Sequence, residues 1–451
     1  MSDWKKVKIG DVCEIIKGAT GIASAEPGEY PLVVTALERK TCSSFQFDCE
    51  AVCIPLVSSS GHGKKSLNNV HYQKGKFALG TILCAVIPNN PNELDARFLH
   101  QYLQFYKDKI LVPLMKGAAN VSLSMKDIAK VEIPLPSIEK QHELSELFVE
   151  TQKKYKELLE ESEKQKSYAK QLRQNILQEA IEGKLTEDWR KENPVVKGNP
   201  DFDAEALFEK IQEEKRHTDS ELPLETSLRI CNSKKKKVFE PISENEQPFE
   251  IPEGWKWVRL GEIVENITSG SREWARYYSD TGAIFLRMGN LSRESYVLRL
   301  DNIQHVRVPE SSEGKRTRLL PFDLLFSITA EIGNLGLIPK DFPEAYINQH
   351  TARIRFAQLV KQSLYFANAL LAPGIRNLYL PNAHGMKNSF RLDTLSFIPI
   401  PLPPLAEQKE IVSRVEKLLA NVTELEKQIT ERETLTKQLM QSIMKDAFRE
   451  E

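Results

Sequence analysis

Two long stretches of the chain carry apolar residues at heptad spacing and contain no proline. Each follows a proline-rich turn, and Glu, Lys, Gln and Leu dominate it for more than forty residues, which favours helix. The seam positions are Phe148, Tyr155, Leu158, Ala169, Leu172 and Ile176, followed by Val415, Val422, Leu425, Thr436, Leu439 and Ile443. Because a helix of about 44 residues is a rod of roughly 65 Å whose apolar stripe needs a partner, we expect the two helices to pair within the chain as an antiparallel coiled coil.

Short apolar runs of β character occupy the remainder of each half. They lie at 30–34, 51–57 and 81–87, and at 283–286, 324–328 and 351–356. Gly, Pro and Asn clusters bound these runs, as they usually bound strands. Helical stretches are expected near 97–110 and 358–371. The fold class predicted for the two globular parts, here called the heads, is therefore mixed α/β.

The chain also repeats itself. The segment 4–12 matches 255–263 at an offset of 251 residues, and the Ile-Pro-Leu-Pro turn at 133–136 matches 400–403 at an offset of 267. Matches along the helices keep the offset of 267 to their ends. The heads therefore tolerate insertions while helix register is constrained, which predicts an internal pseudo-two-fold repeat.

This repeat divides the chain into five predicted segments. They are a first head at 1–136, a first long helix at 137–185, a linker at 186–250, a second head at 251–403 and a second long helix at 404–451. The linker is polar and rich in Glu and Lys, so we expect an extended tether with one short amphipathic helix at 201–216.

Charge is segregated along the chain. The 451 residues have a net charge of −1, but residues 1–130 carry +4, residues 255–397 carry +5 and the remainder carries −10. Two basic heads in tandem suggest two contacts to a polyanion. The lysine run at 234–237 is either a solvated surface or a further contact to phosphate.

Composition also bears on where the protein acts. Without a run of 18 apolar residues or a signal peptide, we expect no membrane span and a cytoplasmic location. The six cysteines are too few for a disulfide scaffold and are interpreted as reduced thiols, buried or half-buried.

Loops of both heads are dense in side chains that can contact DNA. Arg can fork onto guanine, Asn and Gln can pair with adenine, and Lys more often contacts phosphate; ordinary surface exposure is the alternative for each residue. The candidates in the first head are Ser60, His62, Lys64, Lys65, Asn68, Asn69, His71, Tyr72 and Lys74. Those in the second head are Arg272, Arg276, Tyr277, Arg287, Asn290, Arg293, Arg316, Arg318, Gln349 and His350.

Apolar residues outside the helical seam form a second candidate set. They are Leu144, Leu147, Leu159, Leu177, Ile411, Leu418 and Leu419. Either they bind partner proteins, or they pack against the heads of this chain.

Signatures of catalysis are missing from the sequence. The segment 63–66 lacks the spacing of a phosphate-binding loop, and G-x-G-x-x-G and H-E-x-x-H do not occur. Cys42, Cys49, Cys53 and His62 lack a C-x2-C pair for zinc, and the Asp301, Glu313 and Lys315 set of a nuclease is expected by chance. We expect no catalytic residue, metal or cofactor in this chain.

The repeated turns and their flanks resemble the specificity (S) subunit of type I restriction–modification enzymes. The resemblance rests on IPLPPLAEQ from residue 400 with its copy from 133, GKLTEDWR at 183–190, and IPEGWKWVRLGEI at 251–263, and it covers essentially the whole chain. The first copy departs from the pattern, with Ser137 for Pro404 and Lys140 for Glu407.

This resemblance implies a non-catalytic reader of DNA. Each head would be a target-recognition domain for one half of a split, asymmetric site in double-stranded DNA, and the helices would fix the spacer. Two methyltransferase (M) subunits would bring S-adenosylmethionine and methylate adenine N6. Restriction (R) subunits would add ATP- and Mg-dependent translocation and cleavage.

Three alternatives stay open at this point. The chain is the specificity subunit of another multi-subunit restriction or methylation system, a self-contained modification or cleavage enzyme, or a coiled-coil scaffold without a role on DNA. The scaffold predicts DNA binding that has neither sequence preference nor steep salt dependence.

Overall fold

The computed structural model describes residues 4–60, 63–220, 239–272, 274–308, 317–380 and 390–448. The chain forms two compact units. Unit 1 comprises residues 1–164 and 429–451, and unit 2 comprises residues 165–428. Each unit therefore contains one head, the start of the long helix that follows that head, and the end of the other long helix.

The described elements of unit 1 are mostly strands. They are β1 Lys5–Lys8, β2 Cys13–Lys17, β3 Tyr30–Val33, β4 Lys40–Cys42, β5 Phe47–Pro55, β6 His71–Leu79, β7 Leu83–Pro88 and β8 Glu132–Leu135. The helices are α1 Ile9–Val12, α2 Ala96–Ile110, α3 Met125–Ala129 and the long α4 Ile138–Ile181, which continues into unit 2.

A six-stranded sheet forms the first head, in the order β2-β7-β5-β6-β3-β4. Its pairs are antiparallel except for β3 and β6. Strand β7 and the second half of β5, residues 51–55, are nearly continuous apolar runs and are buried, as is typical of strands covered on both faces. Helix α2 begins where the Asp95 carboxylate accepts the Phe98 amide at 2.7 Å, and it buries Phe98, Leu99 and Leu103 against the sheet.

Unit 2 is larger. Its described helices are α5 Glu187–Glu192, α6 Ala204–Ser220, α7 Leu260–Ile263, α8 Tyr365–Leu371, α9 Pro373–Tyr379, α10 Leu392–Ser396 and the long α11 Leu405–Ala447. Its strands are β9 Lys256–Arg259, β10 Val264–Ser269, β11 Tyr278–Ser279, β12 Ala283–Leu286, β13 Gln304–Val306, β14 Leu324–Ser327, β15 Leu335–Leu337, β16 Ala345–Ile347, β17 Thr351–Phe356 and β18 Pro399–Leu402.

Two four-stranded sheets form the second head, in the orders β10-β17-β14-β15 and β11-β13-β12-β16. Strands β12 and β16 run parallel, like β3 and β6 in the first head. All six predicted strands are present, so the mixed α/β prediction is confirmed. The helix expected near 358–371 begins only at Tyr365, because turns occupy most of 358–364.

The same two-stranded ladder closes both heads. In the first head β1 pairs with β8, Lys5 opposite Leu135; in the second head β9 pairs with β18, Lys256 opposite Leu402. The register is identical once the offsets of 251 and 267 are applied. The Ile-Pro-Leu-Pro motif is therefore the strand that returns each head to its own beginning before the long helix starts.

A buried glutamine fixes the junction between this strand and the helix. Gln141 Nε2 donates to the Pro136 carbonyl at 2.9 Å, and Gln408 Nε2 donates to the Pro403 carbonyl at 2.8 Å. Both glutamines are at most 1% exposed. Since a buried amide needs a partner, the matching glutamines of the sequence repeat have a structural cause.

The long helices pair antiparallel within each unit. In unit 1 the start of α4 and the end of α11 share one core, with the rings of Phe148 and Phe448 6.4 Å apart. In unit 2 the end of α4 meets the first half of α11, where Arg173 Nη2 lies 2.9 Å from Glu426 Oε2. The predicted antiparallel pairing is confirmed.

Only one row of the predicted seam is tightly buried. Ala169, Ile176, Val415 and Val422 are at most 6% exposed. By contrast, Leu158, Leu172, Leu425 and Leu439 are 44–61% exposed. The prediction that these four leucines face the partner helix is therefore wrong, because the row three positions after the buried row lies at the surface.

The linker is built into unit 2 as far as residue 220. Leu207 and Ile211 of α6 are fully buried in its core, and the carbonyls of Pro200 and Asp201 accept the first N–H groups of α11 at 3.1 and 3.2 Å. The helix predicted at 201–216 is present, but the tether expected on its N-terminal side is wrong. The lysine run at 234–237 lies outside the described residues.

The five cysteines described are free thiols, four of them buried and Cys49 half-buried. Among the described residues, no cluster of three or more metal-ligating side chains occurs. None of the described helices combines the length and the apolar character that crossing a membrane requires.

Candidate nucleic-acid interface

The parallel strands β12 and β16 bring separate polar segments of the second head to one edge. Leu286 and Ile347 are paired at their carboxyl ends, so the residues that follow, Arg287 and Asn348, emerge side by side. A bridge between Ser271 and Asn348 adds the loop after β10. A Cβ at Gly270 would lie 2.1 Å from the Ile347 carbonyl oxygen, so this close approach requires glycine.

A cleft with a volume of about 490 Å³ lies at this edge. Its polar lining is Arg287, Asn290, Arg299, Asp301, Asn302, Asn348 and His350. Two guanidinium groups, several amides, a carboxylate and an imidazole thus converge on one concave surface. Such a set can offer donors and acceptors to base edges and charge to phosphate.

Asn290 serves the framework of the cleft. Its amide donates to the carbonyls of Arg299 and Asn302, its oxygen accepts from the Arg287 amide, and it is 4% exposed. The prediction that Asn290 contacts DNA is corrected, since its hydrogen-bonding groups hold the segments 287–290 and 299–302 together.

His350 lies in the cleft in a half-buried position. Its Nδ1 is 2.9 Å from the Thr329 hydroxyl, and its Nε2 is 3.0 Å from the Gln349 amide nitrogen. Its backbone N–H donates to Asn348 Oδ1 at 3.1 Å. The loop between β16 and β17 is therefore held by its own side chains.

The other described candidates of the second head are not part of the lining of the cleft. Arg272 and Arg276 are exposed, and the Arg276 guanidinium stacks over the Tyr277 ring at 4.9 Å. Arg293 is exposed, and Arg318 lies 3.9 Å from Glu344. Arg316 lies outside the described residues.

In the first head the candidate loop after β5 packs onto the loop at 116–121. Ser58 Oγ donates to the Lys64 carbonyl at 2.6 Å, and the hydroxyls of Ser60 and Ser66 are 2.7 Å apart. A cleft of about 290 Å³ separates this loop from Ala119, Asn120 and Val121. Lys64, Lys65 and Asn68 are exposed and Asn69 is half-buried; His62 lies outside the described residues.

The remaining candidates of the first head are held within the fold. Tyr72 donates to Glu50 at 2.7 Å, Lys74 lies 2.6 Å from the same carboxylate, and these hydrogen bonds, that of Lys74 first, lower the pKa of Glu50. His71 is 3% exposed. Burial, and then the charge of Arg39, lowers its pKa to about 4. The prediction that His71 contacts DNA is corrected, because its ring is buried and neutral.

Sequence reasoning missed several side chains that the fold places beside the candidates. They are Arg299 and Asn302 in the second head and Asn120 in the first. Asn120 lies more than 50 residues from the loop it faces, and no local pattern links the two.

The candidates for partner binding on the helices also include both buried and exposed side chains. Leu144, Leu177 and Ile411 are at most 3% exposed and pack against the heads, so the alternative interpretation holds for these three and partner binding is corrected. Leu147 is 39% exposed, whereas Leu159, Leu418 and Leu419 are half-buried.

The helices expose another apolar set, which recurs at the offset of 267. Its pairs are Leu158 and Leu425, Tyr168 and Leu435, and Leu172 and Leu439, with exposures between 44% and 64%. Large exposed apolar side chains that recur in this way are typical of binding surfaces.

Comparison with known proteins identifies the family. The model of the family described as type I restriction modification DNA specificity domain matches residues 1–168 and again 252–432, more than three quarters of the chain. The chain belongs to this family. The two matches agree with the repeat of a head and its long helix, and the resemblance noted in the sequence is confirmed.

Individual relatives agree. The chain is 24% identical to the EcoDI specificity subunit of Escherichia coli, over all of this chain and 88% of that protein. It is 28% identical to the EcoAI specificity subunit of Escherichia coli, over 56% of this chain and 40% of that protein's length.

Solved structures show the same fold. One is the HsdS subunit from Thermoanaerobacter tengcongensis, with a TM-score of 0.52, 17% identity and coverage of 100% of this chain and 97% of that one. A chain from a study of complex assembly and conformational transition of the type I R-M system has a TM-score of 0.60, 18% identity and coverage of 100% and 98%.

Proposed function

We propose that this specificity-family chain is the non-catalytic DNA reader of a type I restriction–modification complex. Each head recognises one half of a bipartite, asymmetric site in double-stranded DNA. The observation that carries the proposal is the cleft of the second head, where Arg287, Asn348 and His350 meet at one edge of the fold. Arg and Asn side chains are able to form bidentate contacts to guanine and adenine.

The contacts in the first head are proposed on the loop after β5. Ser60, Lys64, Lys65, Asn68 and Asn69 surround its cleft or lie on the same loop. Hydroxyl, ammonium and amide groups of this kind position DNA through phosphate and read base edges. In the second head Arg272, Arg276, Tyr277, Arg293, Arg318 and Gln349 remain proposed contacts around the cleft.

The paired helices are proposed to set the spacer between the two half-sites. Helices α4 and α11 contain 44 and 43 residues, about 65 Å each. Inserting four residues into one of them should lengthen it by about 6 Å, close to two base pairs of B-DNA at about 3.4 Å each. The expected result is a changed spacer or a complex that no longer assembles; an unchanged spacer in an intact complex contradicts the proposal.

Two M subunits are proposed to dock on equivalent helix surfaces. The support is the exposed apolar set that recurs at the offset of 267, because duplicated surfaces suit two copies of one partner. Leu147, Leu159, Leu418 and Leu419 are retained as further contacts. Replacing Leu172 by Asp should weaken docking of one M subunit and replacing Leu439 by Asp that of the other, with M-to-S stoichiometry as the measurement.

Catalysis is assigned to the partners. The M subunits would supply S-adenosylmethionine and flip the target adenine, and R subunits would supply ATP-driven cleavage. Only the recognition step is assigned to residues of this chain.

Modification mapping tests the proposal. The chain is co-expressed with the methyltransferase gene next to its own gene, and N6-methyladenine is located by long-read sequencing. Methylation at one asymmetric split motif, absent without this chain, is the expected result. A soluble complex of the two proteins that methylates no motif, or a palindromic one, overturns the proposal.

A further inference from the structure

Helix α6 of the linker fills a groove on the second head. Glu205 lies 2.7 Å from Lys256 of β9. Ten residues further on, Lys215 Nζ donates to the carbonyls of Gly261 and Glu262 in α7, at 2.9 and 3.0 Å. Between these polar ends, Leu207 and Ile211 are fully buried.

The first head contains the equivalent groove. The offset of 251 places Lys5 at the position of Lys256 and the segment 10–11 at that of 261–262. The groove wall also matches, since the Asn89 amide donates to the Val12 carbonyl at 2.9 Å, as the Ala357 amide donates to the Ile263 carbonyl at 3.1 Å.

In unit 1 this groove is an open cleft of about 430 Å³. Val7 and Val12 on its floor are only half-buried, whereas their counterparts under α6, Val258 and Ile263, are at most 1% exposed. Its charged lining is Lys5, Lys6, Lys8, Asp11, Glu93 and Glu132. Within the described part of the chain, no carboxylate forms an ion pair with Lys5 or Lys8.

We infer that the groove of the first head is a docking site for an amphipathic helix of a partner protein. The side chains of the groove determine which residues that helix needs and at which spacing. It needs a carboxylate for Lys5, apolar residues two and six positions later for the valine floor, and a Lys ten positions later for the carbonyls of Gly10 and Asp11. This is the spacing of Glu205, Leu207, Ile211 and Lys215 in α6.

A partner suits the groove better than α6 of a second copy of this chain. Releasing α6 from its own unit would return Leu207 and Ile211 to water and uncover Val258 and Ile263. Because burial of such apolar side chains stabilises the unit, an exchange loses on one copy what it gains on the other. The inference adds a protein-binding site to the first head and does not depend on the DNA specificity proposed above.

Photo-crosslinking with a helix of this pattern tests the inference. The probe is a synthetic peptide of residues 203–217 with a photoreactive group at Phe208, and the target is the full chain in complex with its methyltransferase. Crosslinks to 5–12 or 89–94 are expected. Lys5→Glu should weaken saturable peptide binding about fivefold, the upper range for one exposed ion pair, and Lys40→Glu, also at an exposed lysine of the first head, should leave it unchanged.

A charge swap separates recognition from misfolding. The Lys5→Glu chain should bind a peptide carrying Glu205→Lys better than it binds the parent peptide. The inference is wrong if the charge swap does not restore binding or if the peptide shows no saturable binding. It is also wrong if the crosslinks are confined to 256–263, where the peptide would have exchanged with α6. A further outcome is that the peptide never binds while Lys5→Glu lowers the affinity for DNA. Lys5 would then contact phosphate, and the inference would be wrong. None of these outcomes changes the methylation map that tests the specificity role.

Discussion

The carboxyl edge of the parallel strand pair carries different side chains in the two heads. In the first head Val33 of β3 pairs with Leu79 of β6, and the residues that follow are Val34 and Gly80. In the second head Leu286 pairs with Ile347, and Arg287 and Asn348 follow. The backbone framework is the same, whereas the chemistry at its edge changes from apolar to polar.

This difference shows how one scaffold can serve two recognition tasks. The framework depends on backbone pairing, on the closing ladder and on a glycine at the close approach, Gly18 in one head and Gly270 in the other. None of these elements needs a particular side chain at the edge. Under the proposed function, this lets the two heads differ in sequence preference without any change in how they attach to the long helices.

The largest effect should come from Glu407, one of the positions at which the two copies of the repeated Ile-Pro-Leu-Pro segment differ. Glu407 is 1% exposed and accepts from Trp255 Nε1 at 2.7 Å and from Thr186 Oγ1 at 2.6 Å, and it also pairs with Arg190. Glu407→Ala leaves two buried donors and the half-buried Arg190 guanidinium without this acceptor and should destabilise unit 2 by about 3–5 kcal/mol. Urea unfolding of the variant and its parent measures the loss.

Lys140 is the matched control, since it occupies the same place in the first copy and forms only a surface ion pair with Glu143. Lys140→Ala should change stability by less than about 0.5 kcal/mol. Equal losses in the two variants would contradict the idea that Glu407 fastens the linker to the second head.

A second comparison concerns how the stability of each unit depends on acidic pH. The folded-state pKa of His71 is lowered to about 4 from its ordinary value of 6.5, so the unfolded chain binds a proton more readily. Stability from this group is complete above pH 6.5 and is lost as pH falls towards 4, by up to about 3 kcal/mol. In unit 2 hydrogen bonds from Arg259 lower the pKa of Glu246 to about 2 from 4.5, so its contribution is lost only between pH 4.5 and 2.

Unit 1 should therefore weaken first on acidification. Hydrogen exchange at pH 7 and pH 5 resolves the two units. Relative to the intrinsic amide exchange rate at each pH, the expected result is lower protection of β5 and β6 at pH 5. His71→Gln removes the titrating group and should flatten this dependence. Equal acid sensitivity in the parent and in the His71→Gln variant would remove His71 as its cause.

The elements repeated in the sequence were predictable because local rules determine them. The absence of proline in α4 and α11 predicts the two long helices, as found, whereas the turn predicted at 133–136 is part of the strand β8 as far as Leu135. Exposure along the helices was not predictable, since a heptad pattern does not distinguish a row that faces the partner helix from the row beside it. Leu172 and Ile176 share the pattern, yet only Ile176 is buried.

The candidate sites were predictable only where they are local in sequence. The loop 57–66 was identified by its density of polar residues, but its neighbour Asn120 comes from a distant turn. Asn290 and His71 were misjudged because burial depends on the tertiary fold. The linker was misjudged because its composition is polar overall, although Leu207 and Ile211 alone supply a buried stripe.

A substitution at the polar edge of the second head should change recognition of one half-site and leave the other unchanged. Arg287→Ala removes a guanidinium from the cleft of the second head and should relax recognition at one base position of one half-site, by about 1–3 kcal/mol for a bidentate contact. Methylation mapping of the variant gives the readout. Arg307→Ala, an exposed arginine on the same head outside the lining of the cleft, should leave the motif unchanged.

The smallest effect on DNA recognition should come from single substitutions in the loop of the first head. Lys65 is exposed on the loop of the first head, where an ammonium group contacts phosphate rather than bases. Lys65→Ala should weaken DNA binding to a similar degree for every sequence and lower the slope of log K against log salt by about one. Asn69→Ala, on the same loop, should instead relax a single base position. If both variants alter the motif, or if neither changes affinity at any salt concentration, the division of this loop into positioning and reading residues is wrong.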